Sequence, residues 1–158
     1  MKKYPKEFYR GIANNPDNFD PNGYLTKAAF QFKSNPKRTD GYDEMSINWN
    51  DSIKSLKLLL SLWNHRKNCF LASYGYVCFP LSFLNAAFPM MLNNKVLSYE
   101  RRRIIGCFFR RIKSNKYHGN ILFSNKKSDK RDKVAFQEAM VNYSNEHLFT
   151  RESFFSQK

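Results

Sequence analysis

From Asn68 to Asn94 the chain carries no charged residue, yet Gly75, Pro80 and Pro89 interrupt the run. A stretch of that length could span a bilayer, which takes about 20 predominantly apolar residues in one helix. Two prolines break such a helix, because each lacks a backbone donor and clashes with the preceding turn. The run is therefore read as core: a buried strand over Cys69 to Phe79, rich in aromatic and β-favouring types, then a short helix from Pro80 through Phe88. A membrane partner is not expected.

The flanking segments supply surfaces to bury it. Phe8 to Ile12 reads as a strand, turn clusters follow at 14–17 and 20–23, and Tyr24 to Phe32 is predicted as a strand because Ala28, Phe30 and Phe32 alternate with Ala29 and Gln31. Met45 to Trp49 alternates in the same way. Asn50 or Asp51 caps a predicted helix over 51–63, with Ile53, Leu56, Leu60 and Trp63 on one face. Lys95 to Tyr99 and His118 to Phe123 read as strands, and a last helix over 130–147 bears Phe136, Met140 and Tyr143. Between them, Arg101 to Lys113 is predicted as an amphipathic helix, with Ile104, Ile105, Phe108 and Ile112 opposite Arg102, Arg103, Arg110 and Lys113.

At 158 residues the chain suits one domain. The expected fold is α+β: a single domain with a small mixed or antiparallel sheet packed by two or three helices. Cys69, Cys78 and Cys107 are odd in number and show no Cys-x-x-Cys spacing, and Met1-Lys2-Lys3 leads into no apolar run. A reduced, cytoplasmic protein without metal or cofactor is expected.

Charge constrains the partner. Of 27 lysines and arginines, 14 lie in residues 101–158 against 5 of the 13 acids, so that tract holds nine of the fourteen net positive charges. Such an excess points to nucleic acid or to an acidic protein partner. Arg102, Arg103, Arg110, Arg111, Lys113, Lys116, Tyr117, Lys126, Lys127, Lys130 and Arg131 form the expected nucleic-acid surface, since arginine's planar fork makes two bonds to one phosphate. Phe108, Phe109, Phe123, Phe149, Phe154 and Phe155 interleave with these charges, and most are expected in the core; Tyr117, between Lys116 and His118, is the candidate for stacking on a base.

Catalytic signals are sparse. No phosphate-binding glycine loop, His-Glu-x-x-His or Gly-x-Ser-x-Gly occurs, and carboxylates are too dispersed for a two-metal site. Arg10, Ser46 and His118 form the one candidate set, an anion holder, a hydroxyl and an imidazole suited to phosphodiester or nucleotide chemistry without a metal. Their ordinary alternatives are a strand arginine paired with Asp43 or Glu44, a strand serine, and a strand-end histidine bonded to backbone.

Three motifs occur in order: Tyr9-Arg10-Gly11-Ile12; Ala28-Ala29-Phe30 followed by Asp40-Gly41-Tyr42-Asp43-Glu44-Met45-Ser46-Ile47-Asn48; and Asn115 with His118-Gly119-Asn120-Ile121. Together they resemble an uncharacterised family of small bacterial proteins, relative to which 101–113 reads as an insertion. Tyr9-Arg10-Gly11 and Ser46 are also similar to the arginine and serine strands of ADP-ribosyltransferase folds. That family uses a late Glu-x-Glu, whereas Glu100, Glu138, Glu146 and Glu152 are isolated here. Three functions are carried forward. The first is a nucleic-acid-binding accessory subunit of a bacterial or mobile-element ribonucleoprotein or defence system. The second is a metal-independent RNA-cleaving or nucleotide-modifying effector, and the third an assembly protein for an acidic partner.

Overall fold

Alternation in Tyr42–Trp49 fixes which side of the sheet is core: Met45, Ile47 and Trp49 are buried while Ser46 between them is exposed. The computed structural model describes residues 4–156. Its strands are β1 (Glu7–Ile12), β2 (Tyr42–Trp49), β3 (Trp63–Asn64), β4 (Cys69–Phe70), β5 (Gly75–Pro80), β6 (Leu97–Arg101), β7 (His118–Ser124) and β8 (Leu148–Thr150). Its helices are α1 (Ile53–Ser61), α2 (Leu81–Ala87), α3 (Pro89–Asn93), α4 (Lys130–Glu146) and α5 (Arg151–Phe155). Six strands form one antiparallel sheet in the order β6-β7-β2-β1-β5-β8, and β3 and β4 make a separate two-stranded hairpin. The chain is a single α+β domain.

One sheet face is largely apolar, though Arg10 and Arg101 share its side by register. Phe8, Ile12, Val77, Phe79, Leu97, Tyr99, Ile121 and Phe123 join the β2 residues there, and α4 lays Phe136 and Met140 across them. The aromatic packing is edge-on or stacked, as with Phe8 on Phe79 at 5.4 Å between centroids. The opposite face is divided. Over β1 and β5, Tyr9 and Tyr76 meet Leu56, Leu59 and Leu60 of α1 in a second apolar cluster. Over β2, β7 and β6 it is polar, with Glu44, Ser46, Asn48, His118, Asn120 and Glu100 in neighbouring register.

Arg38 pins a loop over that polar half. Its Nη1 donates to Glu100 Oε1 at 2.6 Å and to Glu44 Oε2 at 2.8 Å, and its Nη2 to Asp40 Oδ2 at 2.7 Å. Arg102 adds a longer bond to Glu44. Asn120 donates to Glu100, while its own Oδ1 is the one buried side-chain polar atom without a partner among the described residues.

Four expectations fail. Cys69 to Phe79 is not one buried strand: it divides into β4 and β5 around a turn, and Phe70 and Leu71 are exposed. Tyr24 to Phe32 is not a strand: Thr26 caps a 3-10 turn at Lys27–Phe30, its Oγ1 accepting from the Ala28 N–H, and only Ala29 and Phe30 are buried. A local side-chain cap has overridden the alternation. Trp63 is not the last turn of α1 but starts β3, and Ile53 at the helix start is 58% exposed. Arg101 to Lys113 is not a helix. Beyond β6 and β7 the chain continues as an irregular hairpin, bridged at Ile104 with Asn115 and at Cys107 with Ile112. Its backbone pairs across the hairpin instead, the Ile104 N–H donating to the Asn115 carbonyl and the Cys107 N–H to the Ile112 carbonyl, both at 2.9 Å. Gly106 lets its two arms close, since a Cβ there would lie 2.7 Å from the Ile112 carbonyl oxygen. Among the described residues no helix is long and apolar enough to cross a membrane; the charge-free run is spent on β4, β5, α2 and α3.

Candidate functional site

β1 and β2 separate partway along their length, and this creates the site. Their register holds for Phe8 with Trp49 and Tyr9 with Asn48, then stops. Arg10 fills the split: Nη1 donates to the Ser46 carbonyl at 2.7 Å, while Nε and Nη2 donate to the Ala29 carbonyl at 3.3 and 3.1 Å. The guanidinium thus supplies donors to carbonyls that lie beyond the β1–β2 ladder. The expected pairing of Arg10 with Asp43 or Glu44 does not occur, and among the described residues no carboxylate lies within ion-pair distance of it. Burial without a counter-charge lowers its pKa to about 10.

Above the split opens a cleft of about 480 Å³, to which Arg10, Ser46 and His118 all contribute. His118 pairs across the sheet with Asn48, two residues from Ser46 on the same face, a diagonal relation that spaces their Cβ atoms roughly 7–8 Å apart. The structure brings the three residues to one cleft, but no hydrogen bond joins their side chains, and Arg10 reaches Ser46 only through its carbonyl.

His118 Nδ1 lies 2.7 Å from the Arg102 carbonyl oxygen, which only accepts, so Nδ1 carries the proton. In the neutral ring Nε2 is then the basic nitrogen. Desolvation lowers the His118 pKa, outweighing the Arg102 carbonyl and the charges of Glu44 and Glu100. The ring is neutral near pH 7 and able to accept a proton. It is a strand-end histidine bonded to backbone, as the ordinary alternative has it.

Behind these residues lies a pair of buried amides. Asn115 Nδ2 donates to Asn48 Oδ1 at 2.8 Å, Asn48 Nδ2 donates to the Ser55 carbonyl, and Asn115 Oδ1 accepts from the Tyr117 N–H. This network fixes α1 and the root of the basic hairpin to β2. Asn64 and Lys67, from the β3–β4 turn, and Lys33 complete the polar rim. Sequence reasoning missed Lys33, Asn64 and Lys67, since no local pattern announces that two distant turns meet.

The basic residues do not form one surface. Lys126, Lys127, Lys130 and Arg131 sit where β7 meets α4, whereas Arg102, Arg103, Arg110, Arg111, Lys113 and Lys116 belong to the hairpin at the other end of β7. Seven strand residues put roughly 20 Å between them. Tyr117 is buried at 7% exposure, with Lys116 over its ring, and so offers no stacking face. Phe123 is in the core as expected, but Phe108 and Phe109 are 92% and 93% exposed at the hairpin tip. Phe149 and Phe155 are also exposed, and Phe154 is half-buried against Tyr76.

The hairpin has a neighbour. Trp63, His65 and Arg66 of the β3–β4 hairpin face Arg110, Arg111 and Lys113 across a groove of about 570 Å³. Lys113 Nζ donates to Ser61 Oγ at 2.8 Å and ties the basic hairpin to the end of α1. Arg101 and Arg102 are engaged by Asp51 and Glu44. Among the described residues, Arg66, Arg103, Arg110, Arg111 and Lys113 meet no carboxylate within ion-pair distance. The chain matches no family model, no curated protein and no solved structure.

Proposed function

We propose that the protein binds single-stranded nucleic acid, RNA or DNA, along the groove between its two hairpins. The observation that carries this reading is the company of uncompensated cations and bare aromatic rings: Arg110, Arg111 and Lys113 follow a tip that exposes Phe108 and Phe109 almost completely, and Arg66 faces them across the groove. Guanidinium groups without acidic partners favour phosphate oxygens, and exposed rings favour unstacked bases, whose faces they cover whatever the sequence. A duplex offers no free base face, so single strands are the better fit. Binding of this kind suits an accessory subunit of a ribonucleoprotein or defence assembly.

Fluorescence anisotropy with a labelled single-stranded RNA and its DNA counterpart tests the reading. Engagement of about five phosphates gives a slope near −3.5 in log affinity against log salt, or roughly a hundredfold loss between about 50 and 200 mM. Replacing Arg110, Arg111 and Lys113 by glutamate should abolish binding, and Phe108→Ser with Phe109→Ser should weaken it at least tenfold without lowering Tm. Binding that ignores salt and these changes refutes the proposal. So does preference for anionic vesicles, or a lysate partner retained after nuclease digestion in place of nucleic acid.

A further inference from the structure

The cleft over the β1–β2 split adjoins the groove between the hairpins, sharing Leu62, Leu71 and Ile104 with it, but Arg10, Ser46 and His118 line the cleft alone, and its chemistry is more selective. A guanidinium has five N–H donors, of which Arg10 commits three to the Ala29 and Ser46 carbonyls. One N–H remains on each Nη atom. Both are held in place before any ligand arrives, so little ordering cost attaches to their use. Lys33 and Lys67 stand at the rim, while Glu44, the one acid of the lining, is already engaged by Arg38 and Arg102. The floor is therefore short of negative charge.

The walls are of a different kind. Leu59, Leu62, Leu71 and Ile104 offer no hydrogen bonds to a sugar or peptide, but they accommodate a flat apolar body. The Asn64 side-chain oxygen is occupied by the Arg66 and Lys67 N–H groups, which leaves its amide nitrogen as a donor at the edge. The cleft's volume of about 480 Å³ falls within the roughly 300–1,000 Å³ of small-molecule sites.

We infer that this cleft binds a nucleotide through its phosphate, with the phosphate on the spare N–H groups of Arg10 and the base against Leu62, Leu71 and Ile104. Two oxygens of one phosphate satisfy the two donors in the bidentate manner that suits arginine. The anion also returns to the buried guanidinium the counter-charge that its surroundings withhold. His118, with Nε2 as its free nitrogen, stands beside the bound phosphate as a positioning residue. The same phosphate chemistry is offered by a free mononucleotide and by the 5′-phosphorylated end of a strand.

Isothermal titration of the full chain with AMP, adenosine and inorganic phosphate is the test, accompanied by 15N spectra of the Arg10 Nε–H. AMP should bind at least tenfold more tightly than adenosine, and the Arg10 resonance should shift on addition of AMP or phosphate. Lys33→Gln with Lys67→Gln, both exposed rim changes that set no carboxylate opposite Glu44, should weaken AMP binding at least fivefold with Tm unchanged. Arg10→Lys, which keeps the charge but loses the fork, should weaken it further. Equal affinity for adenosine and AMP, a silent Arg10 resonance, or a rim variant that binds AMP as well as the parent would overturn the assignment. A 5′-phosphorylated dinucleotide that outbinds AMP tenfold identifies the source as a strand end, and equal affinity identifies a free nucleotide; both uphold the site. The inference does not rest on strand binding at the hairpins. The Phe108→Ser, Phe109→Ser variant, whose changed positions carry no charge and line neither cavity, should keep its affinity for AMP, so the two readings fail separately.

Discussion

Replacing Arg38 by methionine keeps the bulk of the side chain and removes the one cation that three carboxylates share. The guanidinium side chain is 8% exposed, against 17% for Glu44, 21% for Glu100 and 47% for Asp40. The Asp40 arm lies largely in solvent and contributes about 0–1 kcal/mol. Glu44 and Glu100 are shielded, and removing the partner of a buried ion pair costs about 3–5 kcal/mol. Arg102 still reaches Glu44 at 3.4 Å and Asn120 still donates to Glu100 at 2.7 Å, which places the expected loss near the low end, about 3 kcal/mol. For a chain of this length that corresponds to a fall in Tm of roughly 6–12 °C. The loss depends on pH. Burial alone would raise the Glu100 pKa, but hydrogen bonds from Arg38 and Asn120 prevail and hold it below the usual carboxylate range; Arg38 does the same for Asp40. Groups with depressed folded pKa values stabilise the fold above their unfolded values, and that stabilisation disappears as pH falls through the folded ones. The gap between parent and variant should therefore be full at pH 7 and narrow below about pH 4.5. Urea unfolding at several pH values measures it. A gap under 1 kcal/mol at pH 7, or one that persists unchanged in acid, would refute this account of the loop's anchor.

Two further outcomes are expected. Gly75→Ala would place a Cβ 1.9 Å from the Phe149 carbonyl oxygen, so β8 must move away from β5; a loss of about 1–3 kcal/mol and faster amide exchange at Leu148 and Phe149, with β2 and β7 unaffected, should follow. In an NMR titration the His118 midpoint should fall below the ordinary value of about 6.5. The folded state then favours the neutral ring, so the stabilisation from this group is complete above about pH 6.5 and is lost as pH falls; a midpoint at or above that value contradicts the tautomer and burial described.

Much of the sheet was legible because its strands alternate strictly or run apolar between turn residues. Met45, Ile47 and Trp49 declare β2, and Phe136 and Met140 declare α4, by spacing alone. The failures share a cause. Arg101 to Lys113 has helical spacing, but Ile104 and Cys107 bridge to Asn115 and Ile112, so its backbone finds partners across a hairpin before it can coil. Tyr24 to Phe32 has strand spacing, but the Thr26 hydroxyl offers its backbone a nearer partner. At the cleft, Arg10, Ser46 and His118 were visible as residue types. That β1 and β2 part after Tyr9, and so make room for them, depends on the distant Ala29 carbonyl and on no local pattern.

The position of β1 in the middle of the sheet governs how the chain can assemble. Its long ladder is with β5, where Cys78 Sγ reaches Glu7 across 71 positions of sequence, and β2 finds its main partner in β7, where Asn115 reaches Asn48 across 67. During synthesis β1 and β2 emerge early and can register only two residue pairs with one another. Both must wait, apolar face uncovered, until β5 and β7 appear. Closing loops of that size before any reward from pairing puts the fold among slow, millisecond-to-second folders, and makes the interval before β5 and β7 arrive the time at which the chain most needs protection from its neighbours.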